Sequence, residues 1–448
     1  MLIGLITLGC DKNTVDSEYL AGLFEEQGYD VMFEPSPDAP MPDAVVVLTC
    51  GFIADAKQQS IEALVTWAEV KTRNGTPRLY VAGCLAQRHA DELLQSIPEI
   101  DGIAGVGQYR QLVGLVTSEP HPRNIVASKP LVEINEPMPR RRADDRPYSY
   151  LKIADGCNHS CAFCSIPLMK GKQRSVRPEI LIDEARNLIL GGVRELTLVA
   201  QDISVYGHDW EDEYWLPDLL HDLCAIPGEF WVRCMYCYPG GVTDDLLDAM
   251  AAEKKVARYL DVPLQHFDPD ILRQMQRPFR HVNPQRLVER LRKAVPGIAI
   301  RTTMLVGFPG ETPAAHRAML DGMRECRFDW LGAFPYSREA ETPAASMPRQ
   351  VGKRVKQKRW EEVMALQAEI TEEIGQARIG STTRVLVEGY DENREKWVGR
   401  SQREAAEVDG LVVLESSREL KNGEFVTAEI IDADVYDVTA RVVATPKA

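Results

Sequence analysis

Residues 155–167 read DGCNHSCAFCSIP, which sets Cys157, Cys161 and Cys164 in a C-x3-C-x2-C spacing. The stretch follows an apolar run, YSYLKIA, that reads as a strand. Further candidate strands come after it at intervals, ELTLVA, FWVRCMY, RYLDVP, IAIRTTMLVG and DWLGAF, most of them separated by helix-like segments. Six such units predict a partial (β/α)6 barrel of the TIM type, open on one side. The loop after the first strand then lies at the carboxyl end of the strands, where barrel active sites are built.

Upstream, the first 120 residues alternate apolar runs, LIGLITL (2–8), AVVVLT (44–49) and RLYVAG (78–83), with amphipathic stretches. This pattern predicts an N-terminal open parallel α/β sheet domain over 1–120. A cysteine stands at or just past the end of each run: Cys10, Cys50 and Cys84. In open parallel sheets functional groups gather beyond the carboxyl ends of the strands, so the three can meet in space. Small buried core residues are the other reading, a common fate of free cysteine. Spacing alone leaves both open. Residues 121–147 are rich in Pro, Arg and Asp and read as a linker, with Arg140–Arg142 as a solvated charge run.

Downstream, the barrel region extends over 140–379 and closes with a long helix at about 351–378. From 380 to 448 the pattern changes to five short strands with turns, a small all-β barrel of OB type. The overall class is α/β with this β barrel appended.

The chain has 448 residues, of which 27% are charged and 44% apolar, as in ordinary globular proteins. The start, MLIGLITLGC, lacks a basic segment and a long apolar stretch, and no run of about 18 apolar residues occurs, so a cytoplasmic location with no membrane partner is expected. Ten cysteines in that compartment suggest metal or redox chemistry rather than a disulfide framework. The net charge is −15, with 7 Lys and Arg against 17 Asp and Glu in residues 1–120 and 9 against 14 in 380–448. Acidic ends argue against gripping a nucleic acid backbone, so no tRNA partner is expected.

Three thiols within one short loop suit zinc or an iron–sulfur cluster. Structural zinc wants four closed ligands, and a fourth is not evident here, since His159 would have to fold back between its neighbours. A four-iron cluster held by three cysteines keeps one iron open for a bound molecule. With Phe163 just before the third cysteine, the loop resembles that of the radical S-adenosylmethionine enzymes. The resemblance implies that Cys157, Cys161 and Cys164 bind a 4Fe–4S cluster whose open iron chelates S-adenosylmethionine, giving a deoxyadenosyl radical on reductive cleavage. TLGCDKNTVDSE (7–18), VVVLTCGFI (45–53) and AGCLAQR (82–88) resemble the N-terminal domain of the methylthiotransferases. That resemblance implies a second 4Fe–4S cluster on Cys10, Cys50 and Cys84, and a C-terminal TRAM domain. LVAQDISVYG (198–207), LDVPLQHFDPDILRQMQR (260–277) and RTTMLVGFPGE (301–311) resemble the branch that modifies an aspartate of small-subunit ribosomal protein S-twelve, rather than the branch that modifies tRNA adenosine. Lys170-Gly171, where Arg-Gly is usual, and Asp11, where Pro is usual, are departures at positions that bind no cluster.

The expected cofactor contacts are Phe163, Glu195, Gln201, Gln265, His266, Arg301 and Gly307. The glycine loop LVGFPGE lacks the Lys-Ser/Thr of a phosphate loop and would instead let the adenosine approach the backbone. Cys234 and Cys237 lie on a predicted strand, where alternation points them to opposite faces, so they read as core. Cys224 and Cys326 fall in helical segments and read as packing residues. An electron donor such as flavodoxin or ferredoxin is an implied partner. A non-catalytic iron–sulfur protein that binds ribosomes is the alternative of a different class.

Overall fold

The β-branched runs near the start form β1 (Leu2–Thr7), β3 (Ala44–Thr49) and β4 (Arg78–Gly83), and β2 (Asp30–Phe33) and β5 (Ile100–Ile103) complete a sheet ordered β2-β1-β3-β4-β5. All its pairs are parallel. Every residue of β3 is buried, as a central strand covered on both faces requires. Four helices supply the cover: α1 (Asp11–Glu26), α2 (Ala54–Asn74), α3 (Cys84–Ser96) and α4 (Tyr109–Thr117). They enclose two core layers, one around Phe24, Val46 and Tyr80 and the other around Val47, Leu64 and Trp67. The strand order reverses between β1 and β3, a switch point of the kind where doubly wound sheets place ligands.

The structure, a computed structural model, describes residues 1–38, 40–118, 123–127, 129–130, 135–277 and 282–443. Parts of the expected linker, 121–122, 128 and 131–134, lie outside the described residues. Two compact units are formed. The first comprises Met1–Asp145, Lys152–Ile180 and Ser337–Thr342; the second comprises Arg146–Leu151, Leu181–Tyr336 and Pro343–Ala448.

The cysteine loop therefore belongs to the first unit. After β6 (Tyr148–Lys152), the two-residue strand β7 (Ala154–Asp155) pairs antiparallel with β8 (Arg174–Ser175), and α5 (Ile166–Lys170) lies between them. The Arg140–Arg142 reading needs correction. Arg140 is buried and its guanidinium grips the Glu18 carboxylate at 2.5 Å, while Arg141 donates to the Val31 carbonyl at 2.7 Å. A cluster of like charges looks solvated in one dimension, but the partners of Arg140 and Arg141, Glu18 and Glu25 of α1 and the Val31 carbonyl of β2, lie more than 100 residues away.

In the second unit, α6 (Pro178–Leu190) leads into β9 (Glu195–Val199), followed by α7 (Leu216–Ala225), β10 (Trp231–Cys234), α8 (Asp244–Ala252), β11 (Val256–Asp261), α9 (Pro269–Gln274), α10 (Pro284–Ala294), β12 (Ala299–Val306), α11 (Pro313–Cys326), β13 (Trp330–Pro335) and α12 (Lys353–Gln376). The sheet runs β13-β12-β11-β10-β9-β6, so all six expected strands are present. Helix starts are written into the sequence as a cap followed by proline: Asp268-Pro269, Asn283-Pro284 and Thr312-Pro313 each have the first side chain accepting a backbone N–H of the first turn.

The five terminal strands, β14 (Thr382–Asp391), β15 (Lys396–Arg400), β16 (Val412–Glu415), β17 (Phe425–Ala433) and β18 (Val438–Val442), close a small barrel. Its loop 400–409 plugs the amino ends of the parallel strands. Tyr150 of β6 donates to Glu407 at 2.7 Å, Arg400 reaches Glu195 of β9 at 2.9 Å, and Arg233 of β10 donates to the Gln402 carbonyl at 2.8 Å. Tyr259 of β11 and Arg301 of β12 both bind Asp409, at 2.7 and 3.2 Å, and Trp330 of β13 donates to the Arg403 carbonyl at 2.6 Å. One loop thus touches every strand of the sheet.

Candidate metal centres and cofactor site

Cys10, Cys50 and Cys84 leave three adjacent strands. Cys10 caps α1, Cys50 follows Thr49 directly, and Cys84 opens α3. Gly9 has φ +103°, and a Cβ there would lie 2.7 Å from Cys50 Cβ, so only glycine lets these two strand ends approach. The Cys50 backbone is fixed by Ser60, whose hydroxyl accepts its N–H at 3.0 Å and donates to its carbonyl at 3.2 Å. Burial pushes the Cys84 thiol up to about 12; Lys170 opposes that rise, while Cys10 and Cys50 add to it. Burial also raises the Cys50 thiol, opposed by a backbone N–H at Phe52 and raised further by Cys10. The three sulfurs therefore lie within each other's electrostatic reach. A cationic metal centre would favour thiolates that burial alone disfavours.

The other three cysteines occupy the loop clasped by β7 and β8. Cys157 N donates to the Gly171 carbonyl at 3.0 Å, Cys164 N to the Cys161 carbonyl at 3.0 Å, and Gln173 N to Asn158 Oδ1 at 3.1 Å. Gly156 has φ +78°, and a Cβ there would overlap the Lys172 carbonyl oxygen, so the loop can close only on glycine. Cys157, Cys161, Cys164 and Phe163 are half-buried, reachable by a ligand. Among the described residues no three His, Cys, Asp or Glu side chains are drawn tight enough to hold a single bare metal ion. Thiols that bind different irons of one cluster stand further apart than the ligands of one ion.

At the carboxyl ends of the second unit's strands, Gln201 Oε1 is buried without a hydrogen-bond partner among the described residues, and the buried His266 Nε2 faces the Glu311 carboxylate at 4.0 Å. Gln265 is held at φ +73°, pinned by its N–H to the Thr303 carbonyl at 2.8 Å and by its own carbonyl to Leu305 N at 2.9 Å. Such strain at a non-glycine residue collects at functional sites. Nothing in the sequence signals it. Glu311, which sequence reading passed over, ties the turn after β12: its carboxylate accepts from Gly307 N and from Phe308 N. Burial opposes its ionisation, but the His266 and His316 imidazoles at 4.0 and 3.5 Å, with Arg359, bring it down to about 2. The cue was local, an acid four residues after the turn glycine.

Three expected cofactor contacts have other partners. Glu195 opens β9 at the amino end and is fully buried, with Arg233 at 2.9 Å and Arg400 at 2.9 Å. Burial resists its charge, yet the two guanidinium groups bring it down to about 2. Arg301 faces Asp409 at 3.2 Å and Asp261 at 3.7 Å. Gly307 has φ +72°, and the Lys356 stem of α12 fills the space where its Cβ would stand. Cys234 closes β10, and Cys237 lies beyond the strand, so alternation does not apply to the pair; both are nevertheless buried. Cys224 lies in α7 and Cys326 closes α11, as the helical reading expects.

Family models agree with this architecture. Residues 3–105 match uncharacterized protein family UPF0004, 151–321 the radical SAM superfamily, and 379–443 the TRAM domain. Among solved structures, the radical S-adenosylmethionine methyltransferase TsrM from Kitasatospora setae is similar in fold, with TM-score 0.58 and 17% identity, covering 77% of this chain and 76% of that one. The radical enzyme OxsB gives 0.54 and 11%, covering 83% and 56%. The fold and the cysteine loop define a radical S-adenosylmethionine protein with a β-barrel appendage.

Sequence relatives narrow this. The ribosomal protein uS12 methylthiotransferase RimO of Desulforudis audaxviator is 42% identical over 99% of this chain and 97% of its own length. Those of Desulforamulus reducens (43%, covering 97% and 98%) and Geobacter sulfurreducens (38%, covering 99% and 98%) agree. This chain belongs to the ribosomal protein uS12 methylthiotransferase family.

Proposed function

We propose that this protein attaches a methylthio group to the β-carbon of an aspartate in ribosomal protein uS12, in the cytoplasm, with S-adenosylmethionine as both radical source and methyl donor. The observation that carries the reading is full-length membership of the family together with two cysteine triads in one compact unit. The hydrogen on that carbon is very weakly acidic, and a radical abstracts it without building a carbanion. When bound, one 4Fe–4S cluster would supply the electron for cleavage of S-adenosylmethionine, and a second would supply sulfur.

Cys157, Cys161 and Cys164 would hold the first cluster and Cys10, Cys50 and Cys84 the second. The β7–β8 clasp fixes the first triad, and the Gly9 turn brings Cys10 and Cys50 together. Gln201, whose buried Oε1 has no hydrogen-bond partner among the described residues, is a candidate contact for S-adenosylmethionine, and Gln265, His266 and Phe163 are proposed for the same role. Flavodoxin or ferredoxin is the class of electron donor proposed. The acidic terminal barrel supports a basic protein substrate over tRNA, because RNA affinity comes largely from neutralising phosphates.

The test separates the triads. Cys161→Ala abolishes both deoxyadenosine formation and methylthiolated product, whereas Cys50→Ala spares deoxyadenosine and abolishes product. A Cys50→Ala enzyme that makes product at the normal rate contradicts the sulfur-delivery role.

A further inference from the structure

Lys170 ends α5, six residues after Cys164, and is 2% exposed. Its ammonium binds Asp155 Oδ1 at 2.9 Å and Oδ2 at 3.2 Å. Asp155 stands two residues before Cys157 and accepts the Gly156 N–H at 2.9 Å. This ion pair therefore closes the neck of the loop that bears Cys157, Cys161 and Cys164. Lysine 152, at the end of β6, flanks Asp155 at 3.7 Å and is bound on its other side by Asp16 of α1 and by Tyr109 of α4 at 2.9 Å.

On its other side Lys170 shares a cavity wall with Cys84 of the second triad. Met169 packs directly with Cys84 and Val106. Lys170 and Cys84 line one narrow cavity of about 20 Å³, with Asn13, Asp16, Gln108 and Tyr109. That is room for one water molecule, so little solvent screens the charge. The Asp155 carboxylate, bound through both oxygens, is the counter-charge of this buried ammonium. Among the charges acting on Cys84, Lys170 is the strongest.

We propose that Lys170 is a positioning residue shared by both cysteine sites: it locks the first loop through Asp155 and holds a fixed positive charge beside the cluster of the second triad. The proposal rests on the reading that Cys10, Cys50 and Cys84 hold a cluster. A cluster ligated by thiolates becomes more negative on reduction, so a buried cation beside it favours the reduced form and raises its potential.

The test uses the full chain with Cys157, Cys161 and Cys164 all replaced by Ala, so that iron can load only at the second triad. Redox titration followed by electron paramagnetic resonance gives the potential, and iron and sulfide analysis gives occupancy. Lys170→Gln keeps a donor for Asp155 but removes the charge; Lys170→Arg keeps both. The glutamine variant is expected to load iron and to titrate at a lower potential, and the arginine variant to return toward the parent value. If the glutamine variant loses its iron, recovery in the arginine variant supports the charge, and loss in both overturns it. Full iron with an unchanged potential in the glutamine variant also overturns the assignment. A parent that binds no iron at Cys10, Cys50 and Cys84 sinks the cluster reading and this proposal together.

Discussion

The first unit buries Lys152, Lys170, Asp16 and Asp155 together; the second buries Arg233, Arg400, Glu195 and Asp409. Each set brings cations and carboxylates into a nearly dry interior, at a desolvation cost that pairing only roughly offsets. They differ in what lies beside them. In the second unit the charges join the amino ends of the strands to loop 400–409, and the contacts beyond them are tyrosine rings and backbone carbonyls. In the first unit one ammonium lies beside a thiol. The lysine set is thus placed to act on the chemistry, and the arginine set to hold a domain in place. Arginine suits the latter task because its planar fork can bind Glu195 with two nitrogens at once, as Arg233 does at 2.9 Å through both Nε and Nη2. Lysine presents a compact charge, which suits a neighbouring cluster.

Breaking the arginine set gives the largest expected effect. Arg400→Ala leaves Glu195 and Glu388 facing a lost partner and is expected to cost about 3–5 kcal/mol of stability in urea unfolding. Iron content per folded molecule should not change, because all six candidate ligands lie in the first unit. Loss of iron without loss of stability contradicts the division of roles. The same plug means that deleting 380–448 would expose buried charge at the barrel, so truncation cannot report on substrate binding alone.

A smaller effect concerns pH. Burial raises Asp409 to about 6, against the pull of Arg301 and the Tyr259 hydrogen bond. A carboxyl whose folded value is raised favours folding fully below its unfolded value, near 4, and loses that contribution as pH rises to about 6. Glu195, brought down to about 2, acts in the opposite sense: its contribution is present above about 4 and is lost as pH falls toward 2. Stability should therefore rise from pH 2 to about 4 and then fall by up to about 3 kcal/mol through pH 6. Asp409→Asn should flatten the second limb and leave the first. An unchanged fall between pH 4 and 6 in that variant contradicts the account.

The smallest effect lies at the surface of the terminal barrel. Asp432 and Asp434 are exposed, and reversing both to Lys should weaken binding to free uS12 by less than about tenfold, more at low salt than at high. Tighter binding would show that these carboxylates do not meet the basic substrate.

Most of the architecture was legible because it is periodic. All six strands of the second sheet and all five barrel strands coincide with expected runs, and the cap-proline pairs mark helix starts. What escaped was non-local. Glu195 and Arg301 look like active-site charges until loop 400–409, far along the chain, supplies their partners. The two-residue clasp β7–β8 is too short for any period to reveal. Cys237 was placed on a strand that ends three residues earlier, because an apolar aromatic run does not show where pairing stops. For the candidate site, the cysteines stood out by spacing and by their positions at strand ends. The strained Gln265 and the Asp155–Lys170 pair required the folded chain.

The central claim is the modification itself. Mass spectrometry of uS12 purified from cells lacking this protein, compared with parent cells and with cells given the gene back, reads it directly. The account predicts that the methylthio mass increment on one aspartate is present in parent cells, absent without the protein, restored by the parent gene and not restored by the Cys50→Ala gene. Persistence of the increment in cells without the protein would contradict it.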